Sequence, residues 1–302
     1  MKTNRKKDIY REVTDRIIAA IEDGTGDVQM PWHRAGVAHT RPTNIDTNNP
    51  YQGVNIISLW ASAEVNGYSN GTWGTYRQWQ KRGAQVQKGQ KSSLVIFYKE
   101  LEFDAENADT GDLEPRKRLM ARASSVFNAD QVDGYELPKP EIKEPLEIIE
   151  QAERFVANTQ ADIRFGGGSA FYRPSQDYIQ MPDKGSFTGT ATSTATEGYY
   201  GVLLHELTHW SGAKRRCDRE LANRFGDDAY AMEELVAELG AAFLSADLGV
   251  TSEPRPDHAS YIDHWLKVMK ADKKAIFTAA AKASQAAGFL TNLQPEDRKV
   301  AA

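Results

Sequence analysis

Apolar residues recur with two different periods along this chain, and the switches between them mark its elements. Within 4–22, Tyr10, Val13, Ile17 and Ile21 repeat at helical spacing, and the pattern ends at Gly24. A turn-rich stretch, TNIDTNNPYQG, follows. VNIISLWASAEVN is apolar almost all round and predicts a buried helix that stops at Gly67. TYRQWQKRG reads as a short helix with Thr75 as its N-cap and Gly83 as its stop. Residues 92–103 and 122–132 are rich in β-branched and aromatic side chains and predict strands. DAENADTGDLEPRKR, between them, predicts an exposed, mobile loop.

The proline-rich run YELPKPEIKEP (135–145) interrupts both periods and predicts a boundary: a domain over 1–135, a linker over 136–146 and a second domain over 147–302. Beyond it the pattern predicts a helix over 146–158 and strands at 162–165, 170–173 and 177–181. A flexible Gly/Ser/Thr tract, GSFTGTATSTATEG, comes next. Helices over 197–211, 228–247 and 257–271 and an alanine-rich one over 273–287 complete the chain. No internal repeat is visible. The expected fold class is α+β in two domains.

At 302 residues, 40% hydrophobic and 26% charged, the composition is that of a soluble globular protein. No apolar run approaches the ~20 residues of a membrane span, and the basic N-terminus lacks the apolar core of a secretory signal, so no membrane partner is expected. The lone Cys217 excludes an internal disulfide and fits a cytoplasmic setting. The net charge of −5 conceals two opposed halves. Residues 1–99 hold 14 Lys+Arg and 8 Asp+Glu, and the remainder holds 23 and 34. Four of the six tryptophans also lie in the basic front, which points to different partners for the two halves.

The strongest chemical signal is GVLLHELTHWSG, residues 201–212. His205, Glu206 and His209 satisfy H-E-x-x-H. On a helix His205 and His209 project from one face, so both imidazoles can reach one ion at ~2.0–2.1 Å. Glu206, beside the open position, can take a proton from a water held there and pass it to a leaving amine. A catalytic zinc site takes three protein ligands. DDAYAMEELVAELGAAFL offers Glu233, Glu234 and Glu238, with Glu234 and Glu238 one turn apart on one face. One of these two can ligate while the other hydrogen-bonds a ligand histidine. QDYIQMP (176–182) would suit the edge strand along a peptide cleft. In HASYIDHW, one of His258, Tyr261 and His264 could donate to an oxyanion.

The front carries a different signal. In WGTYRQWQKRGAQVQKGQKSSLVIFYK, Trp73, Tyr76, Trp79, Phe97 and Tyr98 alternate with Arg77, Lys81, Arg82, Lys88, Lys91 and Lys99. Interleaved aromatics and cations suit a sequence-tolerant single-strand binder, with Trp73, Tyr76 and Trp79 stacking on bases and Arg77, Lys81, Arg82, Lys88 and Lys91 meeting phosphates. A domain core with lysines on its outside produces the same pattern, and the cluster Lys2, Arg5, Lys6, Lys7 is equally open to either reading.

The acids resemble the gluzincin pattern HExxH…ExxxD/E, in which the first acid binds zinc. That resemblance implies Glu234 as the third ligand and Glu238 as its outer partner, with the exchanged roles as the alternative. On a larger scale, MPWHRAG, RPTNIDTNNPYQGVNIISLWASAEVNGYSNGTWGTYRQWQKRGAQVQKGQKSSLVIFYK and SVFNADQVDG resemble the N-terminal domain of ArdC-type antirestriction proteins, a region also found in TraC primases of conjugative plasmids. YRPSQDYIQMP, YYGVLLHELTHWSGAKRR and YAMEELVAELGAAFL resemble the zincin-type metallopeptidase domain that follows it in that family. The usual threonine after the tryptophan is Ser211 here.

The resemblance covers nearly the whole chain in the same order. It implies a small α+β single-stranded-DNA-binding domain and a gluzincin-type metallopeptidase domain holding Zn²⁺, with Mn²⁺ as the alternative. The implied role is to shield incoming plasmid DNA from host restriction during conjugation. No primase catalytic domain follows within the 302 residues, which favours the antirestriction member. Two rival readings remain: a protease recruited to DNA that cleaves a host protein, and a primase-like accessory protein with a structural metal site.

Overall fold

A computed structural model describes residues 8–24, 30–32, 40–106, 113–136, 144–189, 193–221, 228–250 and 259–295. The cluster Lys2–Lys7, His258 and most of the predicted linker lie outside them. Among the described residues no helix is long and apolar enough to cross a membrane.

The N-terminal domain opens with helix α1 (Ile9–Gly24), whose Val13, Ile17 and Ile21 are fully buried. Strand β1 (Thr43–Asn44) leads to α2 (Val54–Asn66), which is buried on every side from Val54 to Ala61, as its largely apolar sequence requires. The helix ends at Gly67, whose φ of 69° is the left-handed C-cap that glycine adopts without penalty. β2 (Thr72–Gly74) leads into α3 (Tyr76–Lys81), started by a capping box between Thr75 and Gln78. β3 (Gln85–Val86), β4 (Ser93–Glu106), β5 (Leu113–Asn128) and β6 (Val132–Asp133) follow. One sheet has the order β1-β2-β5-β4, and β3 pairs with β6 separately.

β4 and β5 form a long antiparallel arm in register from Ser93↔Val126 to Glu106↔Leu113. This corrects the expected loop over 104–118: Asp104–Glu106 and Leu113–Arg118 are paired strand. A two-stranded arm is held by backbone hydrogen bonds and needs no alternating apolar face, so the pattern of side chains does not announce it.

The second domain begins with α4 (Pro145–Thr159) and a three-stranded sheet of β7 (Asp162–Phe165), β8 (Phe171–Arg173) and β9 (Tyr178–Met181) in the order β7-β9-β8. β7 and β9 are parallel, and β8 runs antiparallel to β9. Four helices follow: α5 (Ala195–Ser211), α6 (Asp228–Leu248), α7 (Ala259–Ala271) and α8 (Ala275–Asn292). The end of the expected flexible tract is structured: Thr194 and Glu197 form the capping box that starts α5, with Thr194 N–H donating to Glu197 Oε2 at 2.9 Å.

One hydrophobic core runs through both domains. It joins Ile17, Ile56, Trp60 and Val95 of the first to Leu204, Leu235, Phe243 and Ile276 of the second. Trp60 packs on Phe243 with ring centres 5.8 Å apart, and Tyr10 meets Phe277 edge-on at 4.8 Å. Polar contacts follow the same seam: Arg41 pairs with Asp247 at 2.9 Å, and the Gly53 N–H donates to Ser284 Oγ at 2.9 Å.

Candidate functional site

Helix α5 is buried from Tyr199 to Ser211 apart from the half-buried Gly201, Val202 and His209, so most of its polar residues face packed neighbours rather than solvent. Its closest neighbour is α6. Gly240 makes the approach possible: a Cβ there would lie 2.5 Å from Thr208 Cγ2. The two helices thereby bring one face of α6, carrying Tyr230, Glu234 and Glu238, against the imidazoles of α5.

His205, His209 and Glu234 converge, with one donor atom from each lying within 4.8 Å of the others. His205 Nε2 and His209 Nε2 are 3.1 Å apart. The Glu234 carboxylate oxygens lie 3.5 Å from each of those nitrogens. Tetrahedral ligands ~2.0–2.1 Å from an ion sit about 3.3–3.4 Å from one another, so the three donors are spaced for one small divalent cation. The charge is suited as well. Burial would push the Glu234 carboxyl up, but both imidazoles and the Tyr230 hydroxyl outweigh it and hold it at about 2. His209 is the mirror case: burial disfavours its charged form, and Glu233, Glu234 and Glu206 together raise it.

A ring of outer contacts orients these groups. His209 Nδ1 lies 3.2 Å from Glu233 Oε1. Glu233 is clamped by Arg219, whose Nε and Nη2 donate at 3.1 and 2.9 Å. Burial opposes ionisation of Glu233, but His209 and Arg219 prevail and lower its pKa. Arg219 Nη1 also donates to Ser211 Oγ at 3.0 Å, so the hydroxyl at the position where the family pattern has threonine is engaged. His205 Nδ1 lies 3.8 Å from Glu238 Oε2, and the other oxygen of Glu238 accepts from Trp32 Nε1 at 3.2 Å. Trp32 belongs to the first domain, so both domains build the surroundings of the histidine pair.

The site opens into a cleft of about 270 Å³ whose walls include Glu206, Tyr172, Pro174, Tyr230 and Tyr261. Two expectations change here. β9, read as the cleft's edge strand, is the central strand; β8 is an edge, and its Phe171 and Tyr172 line the cleft. Strand order is set by packing, and alternation alone does not reveal it. His264 is absent from the walls and meets Asp228 Oδ1 at 2.7 Å. Tyr261 does line the cleft, with its hydroxyl 3.4 Å from that of Tyr230. Tyr230 was missed, although its position four residues before Glu234 places it on the ligand face. Arg219 carried no sequence signal, because a turn after α5 brings it back.

The aromatic front also changes. Trp73 and Trp79 are 1% and 0% exposed, so neither offers a face to a base; this corrects their expected stacking role. Trp79 donates to the Phe127 carbonyl at 3.1 Å and packs on Tyr135. Tyr76, Arg77, Lys81, Arg82, Lys88 and Lys91 are exposed, with Lys81 paired to Asp46 at 3.0 Å. Exposed aromatic surface lies instead on β4, where Phe97 and Tyr98 are 49% and 50% exposed.

Known proteins share this fold. Residues 7–127 match the N-terminal domain of anti-restriction factor ArdC, and residues 150–282 match the zincin-like metallopeptidase family. The uncharacterized protein y4eC of Sinorhizobium fredii (strain NBRC 101917 / NGR234) is 50% identical, over 97% of this chain and 94% of its own. A DNA primase TraC of Escherichia coli is 36% identical over 94% of this chain, which spans only 27% of that primase. The metal-free crystal structure of antirestriction protein ArdC from plasmid R388 superposes with a TM-score of 0.74 at 38% identity, covering 95% of this chain and 97% of that one. Its Mn(II)-bound structure gives 0.73 at 36% identity, covering 95% and 98%. With both domains matched in order and the full-length likeness in three dimensions, the chain belongs to the ArdC-type antirestriction family, a two-domain α+β fold whose second domain is zincin-like.

Proposed function

We propose that this protein is an antirestriction factor that binds single-stranded DNA, protects incoming plasmid DNA during conjugation, and carries a divalent-metal peptidase site. The observation that carries the peptidase reading is the set His205, His209 and Glu234 at 3.1–3.5 Å, opening into a cleft with Glu206 in its wall. A structural zinc site is closed by four protein ligands, whereas a catalytic one leaves a position free. Among the described residues three donors converge, and the cleft supplies the open side. Zn²⁺ suits the two nitrogens and the carboxylate; Mn²⁺ is the ion in the R388 relative's structure.

When bound, the ion supplies Lewis-acid polarisation and an acidified water. The chain's own groups do the rest. Glu206 accepts a proton from the attacking water and returns it to the leaving amine. The Tyr230–Tyr261 pair offers a hydroxyl donor to a developing oxyanion. The free edge of β8 can align an extended peptide by strand addition. The substrate would be a host protein met on the transferred strand. The single-strand reading rests on the ArdC-type N-terminal domain and on the exposed cations and aromatics of the front.

Conjugation into a restricting host, with Glu206→Gln beside the native protein, tests this reading. The variant is expected to retain one divalent ion per chain and to lose protection. Full protection by a metal-loaded Glu206→Gln chain would reject the peptidase role and leave DNA occlusion as the mechanism.

A further inference from the structure

The two domains enclose a second, larger cavity of about 1030 Å³ that shares no wall residue with the metal cleft. Its first-domain side includes Tyr10, Asn44, Thr47, the loop residues 49–53 and the β4 residues Ile96–Tyr98; its second-domain side is α8 and its N-cap Lys274. The walls are held in place by specific bonds. Asn55 clamps β4 by donating to the Ile96 carbonyl at 2.8 Å and accepting from its N–H at 2.7 Å. Asn44 Nδ2 donates to the Tyr51 hydroxyl at 3.1 Å, and the Gly53–Ser284 bond ties the loop to α8.

The chemistry of the lining is selective. It includes Lys274 and Lys282 and no carboxylate, in a chain whose net charge is −5. An anionic ligand is therefore favoured. Phe97 and Tyr98 line the same cavity with half-exposed rings, and the exposed amides of Asn49 and Gln52 offer a donor and an acceptor each. Stacking faces, phosphate-seeking cations and amides able to reach base edges are the parts of a single-strand site. The face over residues 76–91 has cations too, but with Trp73 and Trp79 buried its only exposed aromatic is Tyr76. The volume is at the upper limit of the ~300–1,000 Å³ typical of small-molecule pockets, which favours a strand over a lone nucleotide.

We propose that this interdomain cavity holds the unpaired bases of single-stranded DNA, stacked on Phe97 and Tyr98, with Lys274 and Lys282 of the metallopeptidase domain on the phosphates. The inference rests on the single-strand-binding reading above and adds that the strand is gripped by both domains.

Anisotropy of a labelled oligo-dT strand, titrated with the full chain at several salt concentrations, tests it. Phe97→Ala/Tyr98→Ala is expected to weaken binding roughly tenfold or more. Lys274→Gln/Lys282→Gln is expected to reduce the magnitude of the log–log salt slope by about 1.4, at ~0.7 per phosphate contact on a single strand. Because these lysines are exposed, the second variant keeps the test valid should the aromatic one misfold. Arg77→Gln/Lys88→Gln should change affinity less. The reverse ranking, or an abasic strand bound as tightly as oligo-dT, overturns the cavity assignment and leaves single-strand binding standing. Failure of the native chain to bind oligo-dT at all rejects the single-strand reading itself and the cavity assignment with it.

Discussion

Replacing Trp32 with phenylalanine withdraws one hydrogen-bond donor from Glu238 while keeping an aromatic ring near Trp265, whose centre is 6.4 Å away. The indole is fully buried and its Nε1 donates at 3.2 Å, so no solvent replaces it. A buried hydrogen bond contributes about 0.5–1.5 kcal/mol net, and the smaller ring also leaves a void. The void weakens the metal-free and metal-loaded forms alike, so it cancels from metal affinity. What does not cancel is the orientation of Glu238 against His205, 3.8 Å away. Losing an outer partner of a ligand histidine lowers metal affinity about 10–100-fold. Trp32 acts one contact further out, so about tenfold, or 1.4 kcal/mol, is expected. Chelator competition for Zn²⁺ and, separately, Mn²⁺ reads this directly, with Glu238→Gln weaker than Trp32→Phe and Glu234→Gln weakest. If Trp32→Phe lost stability and bound metal as the native chain does, the contact would be packing alone. If Glu238→Gln weakened metal binding more than Glu234→Gln, the two acids would exchange roles.

Gly240→Ala should destabilise the fold by about 1–3 kcal/mol through the clash with Thr208, despite the better helix propensity of alanine. Thr208→Ala in the same chain should recover part of the loss, and additive effects in thermal unfolding would show that the two helices do not meet at this pair. Asp177 gives a pH signature. Burial opposes its ionisation, but Arg216, Tyr172 and Arg215 hold its pKa below the usual carboxylate value of 3.8. A depressed carboxyl contributes stability above the unfolded pKa and loses it as pH falls through the folded one. Asp177→Asn keeps a residue that tolerates the φ of 53° found there. Its stability deficit in denaturant unfolding should therefore be full at neutral pH and shrink below about pH 4; a deficit independent of pH would show that the pairs contribute nothing through charge.

The parts of this molecule legible in its sequence are those whose signal is local. The His205–His209 spacing, the Gly67 stop and the Thr75 cap each follow from one turn of backbone geometry. The four-residue step from Glu234 to Glu238 put both on one face of α6, and the same step backwards would have found Tyr230. Other features depend on what packs where. Trp73 and Trp79 alternate with cations as stacking residues would, yet a buried face and an open face leave the same alternation. The centre-strand position of β9, the clamp of Arg219 on Glu233 and the reach of Trp32 to Glu238 link residues far apart in sequence, which no period records.

The seam between the domains decides how they act. Two domains joined only by a linker would fold and bind independently, and the sequence's opposed charges suggest such a pair. Here Trp32 and Trp60, 0% and 2% exposed, owe part of their cover to Trp265 and Phe243 of the other domain. Burying a side chain of that size contributes about 1.5–3 kcal/mol or more, so uncovering both takes away a large fraction of the 5–15 kcal/mol that holds an ordinary domain. Neither domain is therefore a free-standing unit with its native surface. The same seam supplies Trp32 to the metal centre and Lys274 and Lys282 to the larger cavity. α8, which carries Lys282 and is preceded by Lys274 at its N-cap, packs on α6, which carries Glu233, Glu234 and Glu238. A strand held in the cavity and a peptide held in the cleft would thus lie on one continuous core, in a fixed relation set by packing rather than by linker length.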